Sequence, residues 1–251
     1  MSKELTTAQA AKELEILFKE PDTPCVPSIK INTNDDCFPL GNYLKKEFNP
    51  ETKYNEFTDL GASFEGSVVA QKYTCGKFDS QISKWVYRSN EFNDFISEAY
   101  LAQDRVIIKK DLYRVFRDDF DCRLRVVLYI NIDDKVYRFD SPGSMNYTWS
   151  DLKQEVKDWY LYDLKFSNTK ETKGANAYYK TSLKATTKTE DAAARLNLIK
   201  ATLTALNELD LAFIAQEKGV DYVEFESGEA SVSATQPEAL PAFEVKEVKK
   251  D

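Results

Sequence analysis

The chain contains no histidine. That removes the side chain that most often moves protons near neutral pH and most often ligates transition metals, so chemistry would have to rest on carboxylates, Lys, Tyr or Cys. Cysteine is sparse: Cys25, Cys37, Cys75 and Cys122 show no CxxC spacing, which leaves a structural zinc site without support. Neither Cys75 nor Cys122 has an imidazole to activate it as a nucleophile. Gly61, Gly66 and Gly76 match neither a phosphate-binding loop nor a dinucleotide fingerprint, which argues against nucleotide hydrolysis. No run approaches the roughly eighteen apolar residues of a membrane span. Met1 to Glu20 is charged and amphipathic and does not resemble a secretory signal, so a cytoplasmic location is expected, host cytoplasm if the source is viral. Reduced, mostly buried thiols follow from that expectation. No cofactor is expected, and the chain reads as a non-enzymatic protein.

Aromatic residues are abundant instead: 14 Tyr, 15 Phe and 3 Trp in 251 residues. Tyr and Phe suit half-buried strands, and Tyr also suits wet contact surfaces, so a sheet protein that binds something is the expectation. An N-terminal helix is predicted over 1–20, with Ala10, Leu14, Leu17 and Phe18 as its apolar stripe. Residues 21–59 are rich in Pro, Asn and Asp and read as a loop-rich lead-in with one short strand.

Regular structure is expected over 60–188 as a β-barrel domain. Phe64 to Thr74 and Lys84 to Arg88 read as a hairpin, and Arg105 to Lys110 as a further strand. Arg123 to Ile132 alternates, placing Leu124, Val126, Leu128, Ile130 and Ile132 on one face and Arg123, Arg125, Val127, Tyr129 and Asn131 on the other. Asp133 and Asp134 form a turn into Lys135 to Asp140. A short helix is predicted from a Thr148 and Asp151 capping pair, followed by strands over Leu161 to Ser167 and Ala177 to Ala185.

Thr189 to Gly219 reads as a long helix whose seam, Leu196, Ile199, Leu203, Leu206 and Phe213, is interrupted by Asp210. That seam either packs on the sheet or serves self-association or a protein partner. Residues 220–251 form an acidic tail carrying eight acids and three lysines, net −5 of the chain's −8, with disorder expected from about 228. The remaining body is close to neutral, so the overall acidity does not exclude an anionic partner.

Between Leu164 and Lys188, six lysines face one acid, Glu171. If Tyr179, Thr181 and Leu183 point inward, Tyr178, Lys180 and Lys184 point outward together, and Lys165 adds to them. Cations that hold phosphates beside an aromatic face that stacks a base are what a single strand requires. Arg123, Arg125 and Tyr129 repeat the combination. The nucleic-acid-binding residues expected from the sequence are therefore Arg123, Arg125, Lys165, Lys180 and Lys184 on phosphates, with Tyr129 and Tyr178 on bases. The plainer alternative is that outward lysines keep strands soluble and guard their edges.

Acid clusters at Asp35–Asp36, Asp118–Asp119–Asp121 and Asp133–Asp134 have the ligand type for Mg²⁺, although adjacent Asp residues also serve turns. Asp163-Leu164-Lys165 resembles the carboxylate and lysine pairing of metal-dependent nucleases, a triplet that chance also produces.

Phe64-Glu65-Gly66 before Val68-Val69, Ser89-Asn90-Glu91-Phe92, and Gly174 followed by Tyr178-Tyr179, set in this order of strands and short helix, resemble bacteriophage single-stranded-DNA-binding proteins of the OB-fold type. The resemblance covers residues 60–188. It implies a small, partly open barrel that coats replication or recombination intermediates, with an acidic tail that meets partner proteins or competes with DNA. The tail here ends Val248-Lys249-Lys250-Asp251 rather than in an acidic, hydrophobic tip. The fold class expected is thus α+β: an antiparallel, OB-like β-barrel with flanking N-terminal and long C-terminal helices. The function expected is sequence-tolerant binding of single-stranded DNA or RNA without membrane association. A structural or protein-interaction module, such as a virion component or an inhibitor, is the alternative, and a homo-oligomer fits either.

Overall fold

The computed structural model describes residues 27–33, 37–79, 81–82, 84–93, 98–101, 105–109, 111–173, 176–217 and 223–225. The expected N-terminal helix, Cys25 and the tail beyond 228 lie outside the described residues. In chain order the strands are β1 (Ser28–Ile31), β2 (Tyr43–Asn49), β3 (Tyr54–Gly61), β4 (Ser63–Asp79), β5 (Lys84–Arg88), β6 (Ala99–Leu101) and β7 (Val106–Ile108). Helix α1 (Leu112–Asp118) leads to β8 (Arg123–Ile132), β9 (Lys135–Asp140) and α2 (Met145–Glu155). A 3₁₀ turn at Trp159–Leu161 precedes β10 (Tyr162–Lys173), β11 (Asn176–Lys188), α3 (Ala192–Glu217) and β12 (Val223–Phe225). The molecule is α+β with strands predominating.

The main sheet runs β11-β10-β4-β8-β9-β1-β2-β3, with β5 attached to the far end of β4. A smaller sheet has the order β12-β7-β6. Pairing is antiparallel except at β1–β9 and β12–β7. The segment expected to be a loop-rich lead-in therefore holds three strands. Its pattern conceals them because β3 is exposed along most of its length and β2 mixes Lys and Glu with its apolar residues, so neither shows clean alternation. Likewise, Val223–Phe225 at the start of the acidic tail is a strand.

The sheet is not closed. Strands β11 and β3 are its two ends, and no ladder joins them among the described residues. Side chains bring the curled ends together instead. The Tyr43 hydroxyl on β2 donates to Asn168 Oδ1 on β10 at 2.9 Å, and the Thr181 hydroxyl on β11 donates to the same oxygen at 2.7 Å. Asn168 Nδ2 donates back to the Gly41 carbonyl at 3.0 Å. Gly41 sits at φ 85°, and a Cβ there would lie 2.1 Å from the Tyr179 ring, so this approach requires glycine.

The concave face holds the main core. Phe64, Val68, Val126, Leu128, Ile130, Leu164 and Phe166 pack against Met145, Trp149 and Leu152 of α2. Phe64 and Phe166 stack with centroids 4.7 Å apart. Helix α2 begins at Met145, three residues before the expected Thr148 cap, with Ser144 at the N-cap. A separate cluster joins α1 to the small sheet through Phe92, Leu101, Ile108, Val115 and Phe116.

Helix α3 lies across the opposite face. Ile199, Leu203 and Leu206 pack on Val69, Ala70, Val127 and Tyr129, where the extra residue of a β-bulge in β4 falls at Val69. The helix starts at Ala192 rather than at Thr189, and Asp191 Oδ1 caps it by accepting the Ala194 N–H at 2.8 Å. Asp210, which interrupts the apolar seam, pairs with the fully buried Lys72 of β4. Arg195 reaches Asp163 on β10 at 2.8 Å. These two ion pairs fix the helix on the sheet. No helix among the described residues is long and apolar enough to cross a membrane.

Candidate nucleic-acid interface

Cross-strand register decides which side chains share a face. Lys165 is paired with Lys184 on β11 and with Glu65 on β4, while Arg125 and Arg123 are paired with Thr74 and Gly76 of β4. Side chains of partner residues point the same way, and alternation along β8 and β10 carries that assignment through the bulge. Arg123, Arg125, Tyr129, Lys165, Tyr178, Lys180 and Lys184 consequently all belong to the convex face, opposite the main core.

They do not form one continuous patch. Helix α3 covers the part of this face between the two basic groups, and Lys165 and Arg125 stand opposite β4 positions nine residues apart, about 30 Å along the strand. Tyr129 is the clear correction. It is only 4% exposed, its ring is covered by Leu206 and neighbours, and its hydroxyl donates to Glu91 at 2.6 Å. It cannot stack a base. Alternation placed the residue on the right face but carried no sign that a helix covers the middle of that face; Val127 is buried for the same reason.

At the β10–β11 end, the Tyr178 hydroxyl donates to Glu171 at 2.7 Å, and Lys180 lies 3.4 Å from the same carboxylate. The Tyr178 bond, with help from Lys180, lowers the Glu171 pKa, and the same bond raises that of Tyr178. Both residues are exposed, and a ligand would compete with Glu171 for them. Lys165 and Lys184 are exposed, directly opposite one another, and without an ion pair among the described residues. Like charges facing across a ladder cost stability that a bound anion would relieve.

The other end holds a cleft of about 750 Å³ lined by Arg117, Arg123, Arg125, Tyr113, Tyr147 and the first turn of α2, with no carboxylate among its lining residues. Arg125 lies over the Trp85 ring at 4.8 Å, and Arg88 approaches the same ring at 6.0 Å. Gly76 makes room for that indole, since a Cβ would meet it at 2.6 Å. Arg117 is held by Asp118, its Nε 2.6 Å from the carboxylate, whereas Arg123 has no ion pair among the described residues. Asn146 anchors α2 here, donating to the Leu124 carbonyl at 2.6 Å and accepting from the Val126 N–H at 2.8 Å. The floor includes Cys75 and Cys122, both buried free thiols, while free Cys37 is exposed. Burial pushes the Cys122 thiol up to about 11 and Cys75 higher still. Sequence reasoning missed Trp85, Arg88, Tyr113 and Tyr147. Only tertiary pairing brings them to the start of β8, Tyr113 and Tyr147 to the cleft and Trp85 and Arg88 to a neighbouring hollow of about 190 Å³ that Asp140 also lines, and no local spacing announces it.

The D-x-K triplet also has a definite setting. Asp163 shares a hollow of about 280 Å³ with Glu65, Asp133, Asp134 and Arg195, but its carboxylate is engaged by Arg195. Among the described residues no group of three or more acids or thiols is arranged to hold a metal ion. No family model, curated protein or solved structure matches this chain.

Proposed function

We propose that the protein binds single-stranded nucleic acid, sequence-tolerantly and without chemistry, along the convex face of its main sheet. The observation that carries this reading is the shared face itself: Lys165 and Lys184 oppose each other at one end, and Arg123 and Arg125 open onto an aromatic-rimmed cleft at the other. Phosphates are held by these cations, and bases stack on Tyr178 and on the exposed rings of the cleft. A strand crossing from one group to the other passes over or beside α3. Tyr129 contributes from below by supporting that helix, and Lys180 contributes once Glu171 is displaced. The reading does not depend on a closed OB barrel, and whether the strand is DNA or RNA is a matter for the titration. The acidic tail, by its charge, competes with the strand for the cationic face.

The test is fluorescence anisotropy of a labelled oligo-dT, with an oligo-U and a duplex as controls, at low and moderate salt. Saturable binding that favours the single strand and weakens with salt is expected, and the strand stays intact in Mg²⁺ or Mn²⁺. Absence of binding at low salt, or equal affinity for the duplex, overturns the reading.

One observation favours a second reading, a protein-interaction module. Helix α3 leaves Leu196, Leu209 and Leu211 40–52% exposed, a substantial apolar surface on a helix whose buried contacts centre on Leu206. A pull-down that recovers a protein partner with nuclease-treated material, together with failure of the anisotropy titration, favours that alternative.

A further inference from the structure

The cleft at the start of β8 has more specific chemistry than a groove that tracks a backbone. Arg123 and Arg125 are two residues apart on one face of the strand, roughly 6.6 Å along its axis, and both open into the cleft. Arg125 stands between this cleft and a smaller neighbouring hollow, where its guanidinium lies over the Trp85 ring beside Arg88 and Asp140. The first turn of α2, which packs on the core side, also lines the cleft; it has no acidic residue, the Ser144 side chain caps none of its backbone N–H groups, and the Met145 N–H donates to the Pro142 carbonyl at 2.8 Å. The positive end of an eleven-residue helix thus faces the same space as the two arginines. Two guanidinium groups and a helix terminus together match a dianion better than the single charge of an internal phosphodiester.

The remaining walls suit a ring. Tyr147 is 79% exposed and Tyr113 46% exposed on the rim, and Leu124 with the two protonated thiols gives the floor an apolar character. Tyr113 is steadied edge-on by Tyr73 and Phe92, with centroids 5.5 and 6.0 Å away. A volume of about 750 Å³ lies within the size range of small-ligand sites. Arg117, tied to Asp118 on the rim, is available to a ligand only by exchanging that partner.

We infer that this cleft binds a nucleoside phosphomonoester, with its phosphate between Arg123, Arg125 and the N-terminus of α2, and its base against Tyr147 or Tyr113. The preference for a nucleoside over other phosphate esters rests on the single-strand reading above. The same chemistry is offered by a free nucleotide and by the phosphorylated end of a strand.

Three titrations of the full-length protein test it: thymidine 5′-monophosphate against thymidine by calorimetry, glucose 6-phosphate as a phosphate ester without a base, and 5′-phosphorylated against 5′-hydroxyl oligo-dT by anisotropy. The nucleotide is expected to bind at least about tenfold more tightly than either small control, and Arg123→Ala or Arg125→Ala to weaken it about tenfold. Circular dichroism of the variants is expected to be unchanged. A preference for the 5′-phosphorylated oligonucleotide identifies the strand end as the source, and its absence, with nucleotide binding retained, identifies the free nucleotide. If the mononucleotide does not bind and the two oligonucleotides bind equally, the inference is overturned while the single-strand reading stands. If the mononucleotide binds and no oligonucleotide does, the single-strand reading fails and the site stands. Equal binding of glucose 6-phosphate and the nucleotide overturns the assignment to a nucleoside.

Discussion

The Tyr129 hydroxyl donates a hydrogen bond to Glu91 Oε2 at 2.6 Å beneath helix α3. Glu91 is also the partner of Arg138, and the Lys72 ammonium, itself paired with Asp210, lies 6.0 Å from the Tyr129 ring centroid. A polar network thus runs under the helix that divides the basic face.

Tyr129→Phe keeps the ring and removes one hydrogen bond to a charged group. A loss of about 1–2 kcal/mol in unfolding free energy is expected by denaturant titration. Oligo-dT affinity is expected to stay within twofold of the parent, because the ring is covered. A large loss of affinity with normal stability would return Tyr129 to the binding surface.

Lys72 is 2% exposed, so removing its partner leaves a buried charge uncompensated. Asp210→Ala is expected to destabilise by about 3–5 kcal/mol, whereas Lys72→Met with Asp210→Leu recovers most of that loss. Chemical denaturation of the single and double variants measures the difference. Equal stability of Asp210→Ala and the parent contradicts a pinned helix.

Alkaline pH acts through groups that burial keeps protonated. In the folded chain the Cys122 thiol titrates near 11, and Cys75, Tyr43 and Tyr129 are pushed higher. The unfolded thiols lose their protons near about 8.5 and its tyrosines near about 10. The unfolded state therefore releases protons first, and stability falls as pH rises from about 9 towards 11. Urea midpoints at pH 7.5, 9 and 10.5 check this, with a shallower fall expected for Cys122→Ala. A midpoint independent of pH over that range would show that these groups are not protected.

Local pattern made part of this molecule legible. Alternation in Arg123–Ile132 put Val126, Leu128 and Ile130 on one face, which is the core face, and Thr181 and Leu183, read as inward, follow the same period. The outward placement of Tyr178, Lys180 and Lys184 was readable for that reason. What could not be read depended on distant pairing. The parallel contact of Ser28 with Arg138 leaves no mark in either segment, and β3 lacks a buried face to impose a pattern. The seam of α3 was visible, and so was its interruption at Asp210, but the identity of the buried lysine opposite was not. The cleft draws residues from β4, α1, β8 and α2, so its arginines looked like ordinary charged positions along the chain.

The most direct test of single-strand binding on the convex face is the salt dependence of oligo-dT affinity for the parent and for Lys165→Ala with Lys184→Ala. Each lysine that holds a phosphate contributes about 0.7 to the slope of log affinity against log salt for a single strand. The double variant is predicted to bind more weakly, with a slope shallower by about 1.4, and to keep the parent's stability. An unchanged slope and affinity would mean that the strand, if bound at all, does not lie on this face.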